Sequence, residues 1–171
     1  LEDLAMNRLG AIEHSIESSR FLDARLALKI PAAVPIILVK GSARHGEPRA
    51  RATGVTLLGV DERFAALYPG GPGRALPAEA PGAMARGGPQ VRINETLRRD
   101  LGARVGDPIL LSFPRTGEAP ADTILGRRRV EDLVGTLRGT ITEVIPDSGP
   151  GRFSLLPDQR DTRIAYLALA E

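Results

Sequence analysis

Catalysis and ligand binding need side chains of particular types at particular spacings, and this chain offers few. There are two histidines, His14 and His45, and no cysteine. Neither histidine has a second ligand at helical spacing, so a metal centre finds no support. The missing thiols remove disulfides, thiolate nucleophiles and Cys-based zinc or iron–sulfur sites together. His14 reads as a solvated helix residue and His45 as a loop residue. Ser112 and Ser154 lack the Gly-x-Ser-x-Gly elbow of a hydrolase. The carboxylate pairs Asp61-Glu62 and Glu131-Asp132 could exchange protons with a substrate, but adjacent carboxylates in strands or at helix starts usually face water. Gly70-Gly71-Pro72-Gly73-Arg74 has the glycines of a phosphate loop without the Lys-Ser/Thr that completes one. Arg127-Arg128-Arg129 could meet phosphates or lipid headgroups, yet aromatic residues are 4% of the chain and leave little to stack on bases. The expectation is a protein with no catalysis, cofactor or metal of its own.

Composition sets the frame for whatever the chain does. At 171 residues it suits one domain, or two small subdomains sharing a linker, and 42% hydrophobic with 26% charged residues is the balance of a globular protein. The pI near 9.5 overstates basicity. Lys and Arg number 23 against 21 Asp and Glu, a formal charge of +2, which is no nucleic-acid footprint. No apolar run approaches the ~20 residues of a membrane helix, and no signal peptide is evident.

The elements that must position any site centre on Gln90 to Phe113. Val91 and Ile93 alternate with polar neighbours as a half-buried strand, and Asn94 is placed to cap a following helix. Leu97 and Leu101 share one helical face, and Gly102 can close the helix in a left-handed conformation. Val105 is expected to point inward. Gly106-Asp107-Pro108 supplies a turn before an apolar strand from Ile109 to Phe113.

Upstream, apolar residues at Leu1, Ala5, Leu9, Ile12 and Ile16, with Leu4 beside them, mark a narrow helical stripe that Gly10 weakens. The chain opens inside this stripe without an initiator Met, so it is expected to have been excised from something longer. A second helix is expected to run from a Ser18-Ser19 cap through Leu28, closed by Pro31. Strands follow at Val34 to Val39 and Thr53 to Val60, separated by a polar loop from Gly41 to Arg49. Asp61 then caps a turn carrying Phe64 and Leu67. Residues 69–89 are dense in Gly, Pro and Ala and read as a linker or surface excursion. Pro114 to Arg129 is irregular, Val134 to Ile145 is a strand, Pro146 to Gly151 is a turn, and Phe153 to Leu156 and Ile164 to Leu169 are short terminal strands or extended segments. No internal repeat is evident.

Three stretches carry a family resemblance. They are Gly54-Val55-Thr56-Leu57-Leu58-Gly59-Val60-Asp61-Glu62-Arg63-Phe64, then Val91-Arg92-Ile93-Asn94-Glu95 continuing through Leu101-Gly102-Ala103-Arg104-Val105-Gly106-Asp107, and Gly151-Arg152-Phe153-Ser154-Leu155. Together they resemble the extracytoplasmic, periplasmic core domain of bacterial ABC-transporter permeases of the MacB/FtsX type. That resemblance implies an α+β fold with a long N-terminal helix, a porter-like part and a smaller Sabre-like part. The corresponding division is N-terminal helices and porter-like part over 1–68, linker over 69–89, and Sabre-like part over 90–171. It also implies a domain of an inner-membrane protein that transmits ATP-driven motion to a substrate or partner outside the membrane. The implied partners are an ATPase subunit or domain, a second permease copy and a periplasmic adaptor or substrate protein, with no nucleic acid. Ala5, Leu9, Ile12 and Ile16 would contact a neighbouring stalk, unless they simply pack on the domain's own core. The chain lacks the membrane helices and ATPase motor of such transporters.

Leu-Gly-x-x-Val-Gly-Asp also recurs in double-psi β-barrels, because helix, glycine cap and tight turn into a strand is a generic solution. The alternative is therefore a soluble, double-psi-like barrel module that binds a peptide or protein partner through loops such as Pro69 to Pro89. An enzyme with dispersed acidic residues finds no compact constellation.

Overall fold

The computed structural model describes residues 8–18, 22–23, 25–46, 50–69, 88–114, 134–155 and 162–169. A short helix α1 (Arg25–Lys29) precedes a hairpin of β1 (Ile36–His45) and β2 (Arg51–Val60), and a 3-10 helix (Glu62–Leu67) follows it. Next come β3 (Gln90–Asn94), α2 (Glu95–Leu101), β4 (Pro108–Pro114) and β5 (Val134–Ile145), then a second 3-10 helix (Gly149–Arg152) and β6 (Ile164–Ala168).

The strands close into one barrel in the order β1-β2-β6-β3-β5-β4. β2 with β6 and β3 with β5 are parallel, and the other four pairings are antiparallel. Exchanging β1 with β4, β2 with β5 and β3 with β6 returns the same ring with every direction kept. The topology thus has an internal two-fold, each half being a hairpin, a 3-10 turn and a third strand.

Two apolar clusters hold the barrel. The first draws on all six strands, with Ala43, Val55, Leu57, Val91, Ile93, Ile109, Leu111, Ile141 and Ala165 inside and Leu97 and Leu101 of α2 packed among them. The second lies on the opposite face of β2 and β6, where Leu58, Val60, Ile164 and Tyr166 meet Phe64 and Tyr68 from the first 3-10 segment and Phe153 from the second. Phe64 is its centre, with ring centroids 5.5 Å from Phe153, 5.7 Å from Tyr166 and 5.8 Å from Tyr68. Both phenols find acceptors, Tyr68 donating to Arg8 O at 2.7 Å and Tyr166 to Pro150 O at 2.6 Å.

This architecture replaces the α+β fold with a long N-terminal helix, a porter-like part and a Sabre-like part. Strands from 1–68 and from 90–171 close one ring, β1 pairing with β4 and β2 with β6, so they do not build two separate β structures. The helical stripe fails at Gly10, which has φ 62 and sits where a Cβ would lie 2.1 Å from the Leu67 carbonyl oxygen. Ala11 N donates to that same oxygen at 2.7 Å, pinning the chain to the first 3-10 helix, and residues 12–18 are not helical. Close docking of backbone on backbone outweighs the apolar periodicity there.

Smaller corrections follow the same logic. Val105 is 59% exposed and Ala103, two residues earlier, is buried instead, because the chain leaves Gly102 in the left-handed region at φ 61. Gly41 to His45 belongs to β1, because β4 gives it a second partner that a local reading cannot see. Of the two readings for Phe153 to Leu156, strand or extended segment, Phe153 takes the second, lying in the second core just beyond a 3-10 turn. Of the Gly/Pro-rich stretch 69–89, residues 70–87 lie outside the described residues, as do Arg127 to Arg129 and the pair Glu131-Asp132.

A candidate binding face

Three local arrangements could carry function, and the first is centred on Asn94. Its side chain caps α2 by accepting from Leu97 N at 3.1 Å, and the same oxygen accepts from Ile164 N at 3.0 Å. Its amide nitrogen faces Asp147 Oδ1 at 3.0 Å, Gly151 O at 3.0 Å and Thr162 O at 2.6 Å. Asp147 in turn accepts from Thr96 N at 3.1 Å and Thr96 Oγ1 at 2.9 Å. Asn94 is 1% exposed, so this network fastens β3, α2, the second 3-10 helix and β6 together and is closed to a ligand.

The second joins His45 to the Gly-Asp turn. His45 Nδ1 lies 3.1 Å from Pro108 O, and Nε2 lies 3.3 Å from Asp107 Oδ2. Asp107 also accepts from Arg104 N at 2.8 Å, while its backbone carbonyl accepts from Ile141 N and Gly106 N donates to Ile141 O. Both imidazole nitrogens face protein oxygens, so neither is turned to an open position where a substrate could be deprotonated. The pair clamps the end of β1 to the entry of β4. Among the described residues no group of three or more His, Asp or Glu side chains is gathered in a way that could hold a metal ion.

The third is a surface. Register places Arg51 opposite Arg44, Arg44 opposite Leu110, and Leu110 opposite Arg138, one row across β2, β1, β4 and β5. Two residues along, Thr53, Ser42, Ser112 and Thr136 form a second row. The intervening row, Ala52, Ala43, Leu111 and Leu137, points into the first core. Period-two alternation therefore sends both polar rows outward. A bulge at Gly54 shifts the β1–β2 register, and beyond it Lys40 extends the face, its Nζ donating to Thr56 Oγ1 at 2.6 Å. Arg44, Arg51, Thr53, Thr136 and Arg138 are all exposed.

Ala5 lies outside the described residues. Ile12 packs against the second core and Ile16 is 70% exposed, with no helix to set them on one face with Leu9. Among the described residues no helix is long and apolar enough to cross a membrane. His45 was missed as a partner of Asp107 because the two are far apart in sequence. The basic row was missed because Arg44, Arg51 and Arg138 fall on one line across the sheet, Arg138 beyond Leu110, only through register.

No family model matches this chain, and no curated protein matches it either.

Proposed function

We propose that this chain is a non-catalytic, double-psi-like barrel module that docks a protein partner on the outer face of β2, β1, β4 and β5. One observation carries the reading: that face carries exposed Arg44, Arg51, Thr53, Thr136 and Arg138 around half-buried Ser42, Leu110 and Ser112, while the outer face of β2 and β6 beyond the Gly54 bulge is buried under the 3-10 segments. A filled barrel interior leaves the outside for recognition, and the titratable groups brought together at Asn94 and His45 are spent on holding elements in place. The permease-domain reading rests on three motif stretches; the α+β fold it implied is replaced by the barrel, and those motifs are what its mechanotransmitting role keeps in its favour.

Thermal-shift screening of the chain against peptide pools tests the module. A peptide present at 100 times its Kd adds roughly 2.7 kcal/mol and raises the melting temperature by several degrees. Pools that give no saturable shift at any concentration overturn the reading.

A further inference from the structure

We infer that the partner presents an acidic segment, received by Arg44, Arg51 and Arg138. This rests on the docking role proposed above and names the chemistry of that face. The strand segments that build it, 51–56, 40–45, 108–114 and 134–140, contain no Asp or Glu at all. They carry Lys40, Arg44, Arg51 and Arg138, four cations in a chain whose formal charge is only +2. Arg44 and Arg51 are directly opposite one another, an arrangement that costs stability between like charges and that an intervening anion would relieve. Among the described residues elsewhere, several arginines have carboxylates at hand: Asp61 for Arg63 at 2.6 Å, Glu95 for Arg98 at 2.6 Å, Glu143 for Arg92 at 3.3 Å.

The geometry suits carboxylates on a peptide. Neighbouring strands are about 4.8 Å apart, so Arg51 and Arg44 stand about 5 Å apart and Arg138 about 10 Å beyond Arg44. Alternate side chains of an extended peptide are about 7 Å apart on one face, within reach of long guanidinium side chains that engage carboxylates bidentately. The Thr53, Ser42, Ser112, Thr136 row beside them supplies hydroxyl donors for the remaining oxygens. Nucleic acid fits less well. Neither row holds an aromatic ring on which a base could stack, and the near-neutral chain has no extended field for a phosphate backbone.

The test is fluorescence anisotropy of the full chain with labelled octaglutamate, octaglutamine and a single-stranded oligothymidylate, at low and at physiological salt. Two double variants with the same change in net charge are compared, R44E/R51E on the face and R25E/R104E away from it. The milder R44Q/R51Q/R138Q, checked by circular dichroism, serves if charge reversal impairs folding. Expected are saturable binding of octaglutamate, none of octaglutamine, and at least a tenfold loss in R44E/R51E or the glutamine variant, with R25E/R104E within twofold of the parent. Equal losses in the two double variants would reduce the effect to bulk charge and overturn the inference. Tighter binding of oligothymidylate would overturn it in favour of a phosphate ligand. If octaglutamate does not bind while a peptide-pool hit still shifts the melting temperature, the acidic-segment inference falls and the docking module stands. If no peptide of any sequence binds, both fall.

Discussion

β2 shows two treatments of an outward-facing surface within one strand. From Thr56 to Val60 its outer residues, Leu58 and Val60, lie under Phe64, Tyr68, Phe153 and Ile12. From Arg51 to Thr53 its outer residues are exposed and charged or hydroxylated. The β-bulge at Gly54 separates the two halves, and β2, paired with β1 throughout, gains β6 on its other edge from Thr56 onward. A sheet face that must be covered is written in Leu, Val and Tyr. One that stays open is written in Arg, Thr and Ser. The contrast teaches that the covered face supplies stability, while the open one contributes little to it and is available for recognition.

The largest expected effect is on the covered side. Phe64→Ala removes the ring at the centre of the aromatic cluster and should cost about 3–5 kcal/mol in urea unfolding. A loss below about 1 kcal/mol would mean that the second cluster is not a core. Next is Asn94→Ala, which strands Ile164 N, Leu97 N and the carbonyls of Gly151 and Thr162 in a buried setting. Unsatisfied buried groups cost roughly 1–3 kcal/mol each, so the four together put the expected loss at about 4 kcal/mol at the lower end, and a near-neutral result would show that water replaces the side chain.

High pH should also weaken the covered face selectively. Burial pushes the Tyr68 and Tyr166 phenols above their ordinary value of 10.0. Their protonated forms are favoured in the fold, so this contribution is fully present below pH 10 and falls as pH rises from there toward the raised native values. The urea midpoint should drop above pH 10, and Tyr68→Phe should flatten that drop. An unchanged slope in Tyr68→Phe would remove the phenol from the account. The smallest effect belongs to the open face. Arg44→Thr relieves the opposition to Arg51 and should leave stability within about 0.5 kcal/mol, on the stabilising side. A loss above 1 kcal/mol would mean that the open face is structural after all.

Much of the local structure was legible in the chain. The β3-α2-β4 stretch read correctly as strand, Asn94 cap, helix, Gly102 closure and strand, because each signal acts over four residues or fewer. Asp61 likewise caps the first 3-10 helix, accepting from Arg63 N at 3.0 Å. What failed was partnership. Nothing local says that β6 inserts between β2 and β3, that the Asn94 side chain also reaches Ile164 N, or that His45 meets Asp107. The two-fold of the barrel leaves no visible repeat, since the halves share directions and order and not residues. The N-terminal stripe misled for a related reason: periodicity reports a face, whereas Gly10 answers to the Leu67 carbonyl pressed against it. The candidate site was the least legible part, being three arginines set in one row by register alone.

The position of β6 has a consequence for synthesis. It is the last of the six strands to leave the ribosome, yet it fills a central place in the ring between β2 and β3. Until Ile164 to Ala168 emerge, β2 and β3 each keep an unpaired edge, and the parallel pairing of β2 with β6 must wait for a partner about 100 residues downstream. A nascent chain stalled short of Ile164 therefore carries two open templates for strand addition, which chaperones would have to shield, and the barrel closes only after β6 has emerged.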